Sequence, residues 1–185
     1  MPDISYTDAT HLDIGVLKGA RLDLEYGDTG NDFELTLDID SEQRLDDGAY
    51  VYVEGTEWGG VVDARESNSV NNTITYTGRS WQGILRDRVL EPPSGEDYLS
   101  VRGEAHGVLK QLIQRLGLAN QFKVSEETSG ITVKYTFDRY CDAWTGIRKM
   151  LADSSARLNI EYNSIERMIV LSVKPITDWT DGADA

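Results

Sequence analysis

The chain has 185 residues, 39% of them hydrophobic, with a formal charge of −14 and one cysteine. That length and apolar content suit one moderate core or two small ones and exclude a disordered chain. Apolar runs such as Met168–Leu171 fall far short of the ~20 residues that span a bilayer, and the lone Cys141 makes no intrachain disulfide.

The polar start "MPDISYTDAT" has neither a basic n-region nor an apolar h-region, so neither secretion nor membrane insertion is expected. Residues 1–60 hold fifteen acids against Lys18, Arg21 and Arg44, a net of −12, while the remaining 125 residues balance to −2. Such a field repels phosphate backbones and anionic headgroups, which sets nucleic acid and membrane surfaces aside as partners. A basic protein surface suits it better, although acids of this kind also serve solubility alone.

In chain order, the first 90 residues read as strand after strand. Leu22, Leu24 and Tyr26 alternate with Arg21, Asp23 and Glu25, and Phe33, Leu35, Leu37 and Ile39 alternate with Glu34, Thr36, Asp38 and Asp40. Segments 50–54, 60–65 and 73–77 continue the pattern between turn-rich stretches. Five to seven short strands at this spacing predict an antiparallel barrel or sandwich, with a closed barrel the common way to hide strand edges. "GRSWQGILRDRVLEPP", residues 78–93, reads as a short crossing helix or turn that closes this unit.

Beyond Pro92-Pro93 the periodicity changes. Ala105, Val108, Leu109, Leu112, Ile113 and Leu116 lie on one helical face that Gly117 terminates. Strands are predicted near 122–124 and 131–137, a second helix over about 141–153 with Trp144, Ile147 and Leu151 inward, and a hairpin of 158–162 with 168–173. The fold class is therefore α+β: a β-barrel over 1–93, an αββαββ domain over 94–177, and a disordered tail or linker over 178–185.

No constellation predicts catalysis. The carboxylates of Asp38, Asp40 and Glu42 lack the EF-hand glycine, since Gln43 stands at its sixth position. His11 and His106 are isolated, Cys141 has no histidine partner, and Ser80, Ser94 and Ser129 form no nucleophile elbow. No enzyme, cofactor or metal is expected, and Asn71-Asn72-Thr73 reads as a polar turn. Trp144 reads as core, Trp58 as a hairpin-tip residue that packs locally or meets a partner, and Trp81 as packing across the barrel mouth with Arg79, Arg86 and Arg88 at its rim. Trp179 sits in the tail.

The path "LDLEYGDTGNDFELTLDID", "LDDGAYVYVEGTEWGGVVD", "NTITYTGRSWQGILRDRVLEPP" resembles the amino-terminal region of the phage baseplate hub and tail-associated lysin family, and is similar to the first part of type VI secretion spikes. The turn before Asn31–Leu35, the strand ending at Gly48, "GVVD" at 60–63, and above all Gly78, Trp81, Leu85, Arg88 and Pro92 carry it. The resemblance implies a structural component of a phage or prophage tail tip, on the virion and assembled in the bacterial host cytoplasm. Its implied partners are a tail tube or distal tail protein, a spike or a second hub half, and further copies of itself, with a trimer favoured. Trp58, Arg79 and Arg86 are the interface candidates. A hub also implies a second barrel, which does not follow Lys174-Pro175; a shortened chain, a hub split over two polypeptides, and one barrel per subunit all stay open. The alternative function is a carbohydrate- or peptide-binding module that presents Trp58 from a barrel loop.

Overall fold

The structure is a computed structural model and describes residues 3–25 and 32–176. The predicted features at Tyr26, at the turn before Asn31, at Trp179 and in the 178–185 tail lie outside the described residues. The chain forms two compact units, Met1–Arg88 with Ile160–Val170 and Val89–Asn159 with Leu171–Ala185. The described residues are mixed but mostly β, in line with an α+β class.

The first unit contains β1 (Ser5–Thr7), β2 (Asp13–Val16), β3 (Arg21–Leu24), β4 (Asp32–Asp38), β5 (Tyr50–Tyr52), β6 (Gly59–Asn68), β7 (Thr73–Ser80) and the helix α1 (Trp81–Arg86). Its strands make one antiparallel sheet in the order β2-β1-β5-β6-β7-β4-β3. Alternation fixes which face is dry. Phe33, Leu35 and Leu37 of β4 are opposite Gly78, Tyr76 and Ile74 of β7, and all point to one side, while Asp32, Glu34 and Asp38 point to water.

The core cluster of this unit runs from Ile4, Tyr6 and Leu17 at one end of the sheet to Leu22 and Leu24 at the other. Apart from Ile4, just ahead of β1, every member belongs to a strand or to a loop between strands, so the sheet covers its own inner face and must curl to do so. The strand order nevertheless has two ends, β2 and β3, and no ladder joins them among the described residues.

The second unit holds β8 (Val89–Leu90), β9 (Ser100–Glu104), α2 (Ala105–Arg115), β10 (Phe122–Val124), β11 (Thr132–Thr136), β12 (Cys141–Asp142) and α3 (Ala143–Asp153). A closing hairpin follows, β13 (Ala156–Asn163) and β14 (Met168–Pro175), and its far half is the stretch that groups with the first unit. The small sheets are β10-β14-β13, β11-β9 and β12-β8. The predicted helices are present, and β9 and the two-residue strands β8 and β12 are additions to the predicted order. Trp144 is not in the core: it is half-buried, with the Arg148 guanidinium 5.3 Å from its ring centroid. Ala143, Ile147, Met150 and Leu151 fill the inner face of α3 instead. No helix among the described residues is long and apolar enough to cross a membrane.

Two polar devices hold α2. Glu104 is its N-cap and accepts from the Gly107 amide (2.9 Å), the Ser129 amide (2.8 Å) and the Ser129 hydroxyl. The helix start and the loop before β11 are thereby tied to one carboxylate. His106, buried, donates from Nδ1 to the Glu127 carbonyl and accepts at Nε2 from the Val173 amide (2.8 Å), a pairing that requires the neutral ring.

Partial desolvation pushes the Glu104 pKa up, but these hydrogen bonds outweigh it and bring it from the ordinary 4.5 down to about 2. A depressed folded value adds stability that is complete above the unfolded pKa and is lost as pH falls through the folded one. Glu104→Gln is therefore expected to destabilise the chain near neutrality by about 1 kcal/mol, discounted for solvent screening. Urea unfolding at a series of pH values checks this: the gap to wild type should close between pH 4.5 and about 2.

Candidate functional site

The segment singled out in the sequence is built from Gly78 outward. Gly78 lies opposite Phe33 on one side and Val62 on the other, where the β6–β7 register shifts between Val62 and Ala64. A Cβ on Gly78 would sit 1.8 Å from the Val61 carbonyl oxygen, so the bulge leaves no room for a side chain. Gly60 is closed in a similar way: its Cβ would meet the Arg79 carbonyl at 2.4 Å and the Phe33 ring at 2.7 Å. Gly60 thus leaves room for the Phe33 ring, and Gly78 leaves room for the β6 backbone.

Ser80 then turns the chain. Its extended backbone and its hydroxyl, which accepts from the Gly83 amide at 3.2 Å, cap α1. Five of the six helical residues, Trp81 to Leu85, are buried. Trp81 lies over Gly59, where a Cβ would come within 2.5 Å of the indole, and edge-on to Tyr50 with centroids 5.0 Å apart.

This is the outer face of the sheet, because Tyr50 and Tyr52 flank Val51, which belongs to the inner core. Trp81 thus seals the outside of β5 and β6 instead of crossing a mouth. His11 stacks on Tyr50 at 3.7 Å, Tyr162 packs edge-on to Tyr50 at 5.5 Å, and the Tyr162 hydroxyl donates to the His11 carbonyl at 2.8 Å. Burial, and then the neighbouring Tyr162 hydroxyl, pushes Tyr50 up to about 12; burial, and then the Asp13 carboxylate, does the same for Tyr162. Desolvation holds the His11 imidazole below its ordinary value.

The remaining candidates separate. The Arg79 guanidinium is committed: Nε and Nη2 donate to the two Asp63 oxygens at 2.8 and 2.7 Å, and Nη1 donates to Asp87 at 3.0 Å. Those bonds, Asp63 first, raise its pKa further. Leu85 is fully buried, Arg86 half-buried and Arg88 exposed. Pro92, half-buried, belongs to the second unit and precedes the turn in which the Glu96 amide donates to the Pro93 carbonyl. Trp58 is 47% exposed at the tip between β5 and β6, where its amide donates to Thr56 Oγ1.

An open groove of about 630 Å³ runs along the first unit, lined by Asp23, Glu25, Asp32, Glu34 and Asp63, with Arg79 as the basic member of its lining. Among the described residues no set of three or more His, Cys, Asp and Glu side chains is placed to hold a metal. Asp38 and Asp40 instead accept from the Asn72 side-chain amide at 3.0 and 3.2 Å and brace a turn. The tyrosine layer was missed in sequence: "YVYV" looks like any strand there, and Tyr162 lies 151 positions from the His11 carbonyl it binds.

No family model matches the chain, and no curated protein matches it by sequence. Among solved structures, the crystal structure of prophage tail protein gp18 from Listeria monocytogenes EGD-e superposes with a TM-score of 0.51 at 14% identity, over 94% of this chain and 50% of that one. The tail protein from Neisseria meningitidis MC58 gives a TM-score of 0.48 at 13% identity, over 91% of this chain and 44% of that one. The likeness to gp18 shows a shared fold. This chain spans half the length of the gp18 chain that it matches.

One glycine substitution tests the close approach at Gly78, and a second, in α2, gives the contrast. Gly78→Ala is expected to cost about 3 kcal/mol or more, or to prevent folding. Gly107→Ala, in the first turn of α2 with its Cβ 3.8 Å from the nearest atom, is expected to stabilise by about 0.5 to 1 kcal/mol. Urea midpoints with matched slopes report both.

Proposed function

We propose that the chain is a structural component of a phage or prophage tail tip, with the first unit acting as a hub-type barrel domain and the second as the α+β domain that follows it. The observation that carries this reading is the fold shared with the Listeria prophage tail protein over 94% of the chain. It is supported by the curled sheet, whose core is supplied by its own strands. On this reading β2 and β3 come together to close the barrel.

The mechanism is assembly and involves no reaction. Copies pack side by side, a trimer being favoured, and the acidic first unit meets a basic ring of tube or distal tail protein on one side and a spike or second hub half on the other. Gly78, Trp81, Leu85, Arg88 and Pro92 serve this role by fixing where the first unit ends. Trp58, 47% exposed, and Arg86 are the candidates for meeting partners; Arg79 orders the rim through Asp63 and Asp87.

Light scattering over a range of protein and salt concentrations tests the reading. A discrete trimer or hexamer is the expected result. A strict monomer that also fails to bind purified tail tube or distal tail protein would remove it.

A further inference from the structure

Two ladders place like charges directly opposite each other. On β9 and β11, Arg102 faces Lys134; on β3 and β4, Asp23 faces Glu34. All four side chains are exposed, and none has an ion-pair partner among the described residues. Like charges directly opposite on one sheet face repel, and the nearest counter-charges of the ladders stand at the next rung of the same face without pairing to them: Glu104, whose carboxylate is held by Gly107 and Ser129, beside the basic rung, and Arg21 beside the acidic one. Opposite charge brought from outside relieves both.

The surroundings of the two rungs match as well. Ser100 and Thr136 share a hydrogen bond at 2.9 Å beside the basic rung, and Thr132 lies on its other side. Thr36 and Thr77 flank the acidic rung. Ser100, Thr132 and Thr136 on one face and Thr36 and Thr77 on the other are short, so two such faces can approach to about the 10 Å separation of packed sheets with the long charged side chains spanning the gap. The Arg79 guanidinium does not neutralise the acidic face, because Asp63 and Asp87 hold it.

We propose that the β9–β11 face of one copy docks on the β3–β4 face of a second copy of this chain, with Arg102 and Lys134 set against Asp23 and Glu34. One chain carries both halves, so the contact is heterologous and repeats head to tail, closing a ring or continuing as a filament. It deepens the assembly reading and rests on it for the expectation that copies associate.

The test uses the full chain, with mass measured by light scattering at about 0.05 M and about 0.5 M salt. Two double reversals are compared, Arg102→Glu with Lys134→Glu and Asp23→Lys with Glu34→Lys, together with all four changes in one chain. Far-ultraviolet circular dichroism and urea midpoints confirm folding, which exposed positions should preserve. Wild type is expected to associate more readily at low salt, each double reversal to need about tenfold more protein or higher to do so, and the four-site chain to recover wild-type behaviour. If wild type associates and Arg102→Glu with Lys134→Glu keeps its mass and salt response, this contact is overturned while the assembly reading stands. Failure of the four-site chain to recover overturns it too. Filaments that follow the same reversal pattern would support the contact and remove the trimer; a chain monomeric throughout removes both.

Discussion

Space between β6 and β7 is the constraint on which the first unit depends. At Gly78 the two backbones approach so closely that a methyl group would overlap a carbonyl oxygen. That approach accompanies the register shift after Val62, and the shift bends the ladder where the sheet must curl. Gly60 lacks a side chain for a second reason as well: the Phe33 ring occupies the space its Cβ would need, and that buried ring locks β4 onto β7. The glycines thus contribute by absence, Gly78 by admitting the β6 backbone and Gly60 by admitting a large apolar ring.

The same alternation that fills the inside creates a second dry layer outside. On β5 the three residues Tyr50, Val51 and Tyr52 are all buried, Val51 inward and the tyrosines outward. An outward tyrosine on a solvated sheet would leave half its ring wet, yet here Trp81, His11 and Tyr162 cover them. Three polar atoms, the Tyr50 hydroxyl, Trp81 Nε1 and Gln82 Oε1, have no protein hydrogen-bond partner in this layer. Aromatic burial therefore outweighs polar satisfaction at this point, since each large ring removes on the order of 150 to 250 Å² from water.

Sequence pattern made much of this legible, and its failures have physical causes. Alternation found β3 to β7, and the 3.6-residue period found α2 and α3, because each buries a single face. Strands β1, β2 and β9 were missed: β1 and β2 are short and joined through a register shift at Tyr6–Thr7, and β9 carries Gly103 at φ 151° beside charged neighbours. Trp144 occupies an inward-looking position in the helical pattern, but cation–π stacking by Arg148 holds it at the boundary. Trp81 was singled out in the sequence, but not its face, because the tyrosines that receive it are identified only once Tyr162 is brought back from late in the sequence. Arg79 looked like a free rim charge, and its partners Asp63 and Asp87 lie on a neighbouring strand and past the helix.

The arrival of Tyr162 from late in the sequence has a meaning for how the unit is made. A nascent chain emerging from a ribosome exposes residues 1–88 long before 160–170, and the sheet can pair as soon as β7 is out. Trp81 and His11 can cover part of Tyr50 at once, but the share of the tyrosine layer that Tyr162 covers stays open until residues 160–170 have emerged. Contacts of such long sequence separation form late and slowly. For that interval the half-made unit presents part of its aromatic layer to the cell, so the β13–β14 hairpin is what completes the first unit, and a chain stopped before it is a sticky one.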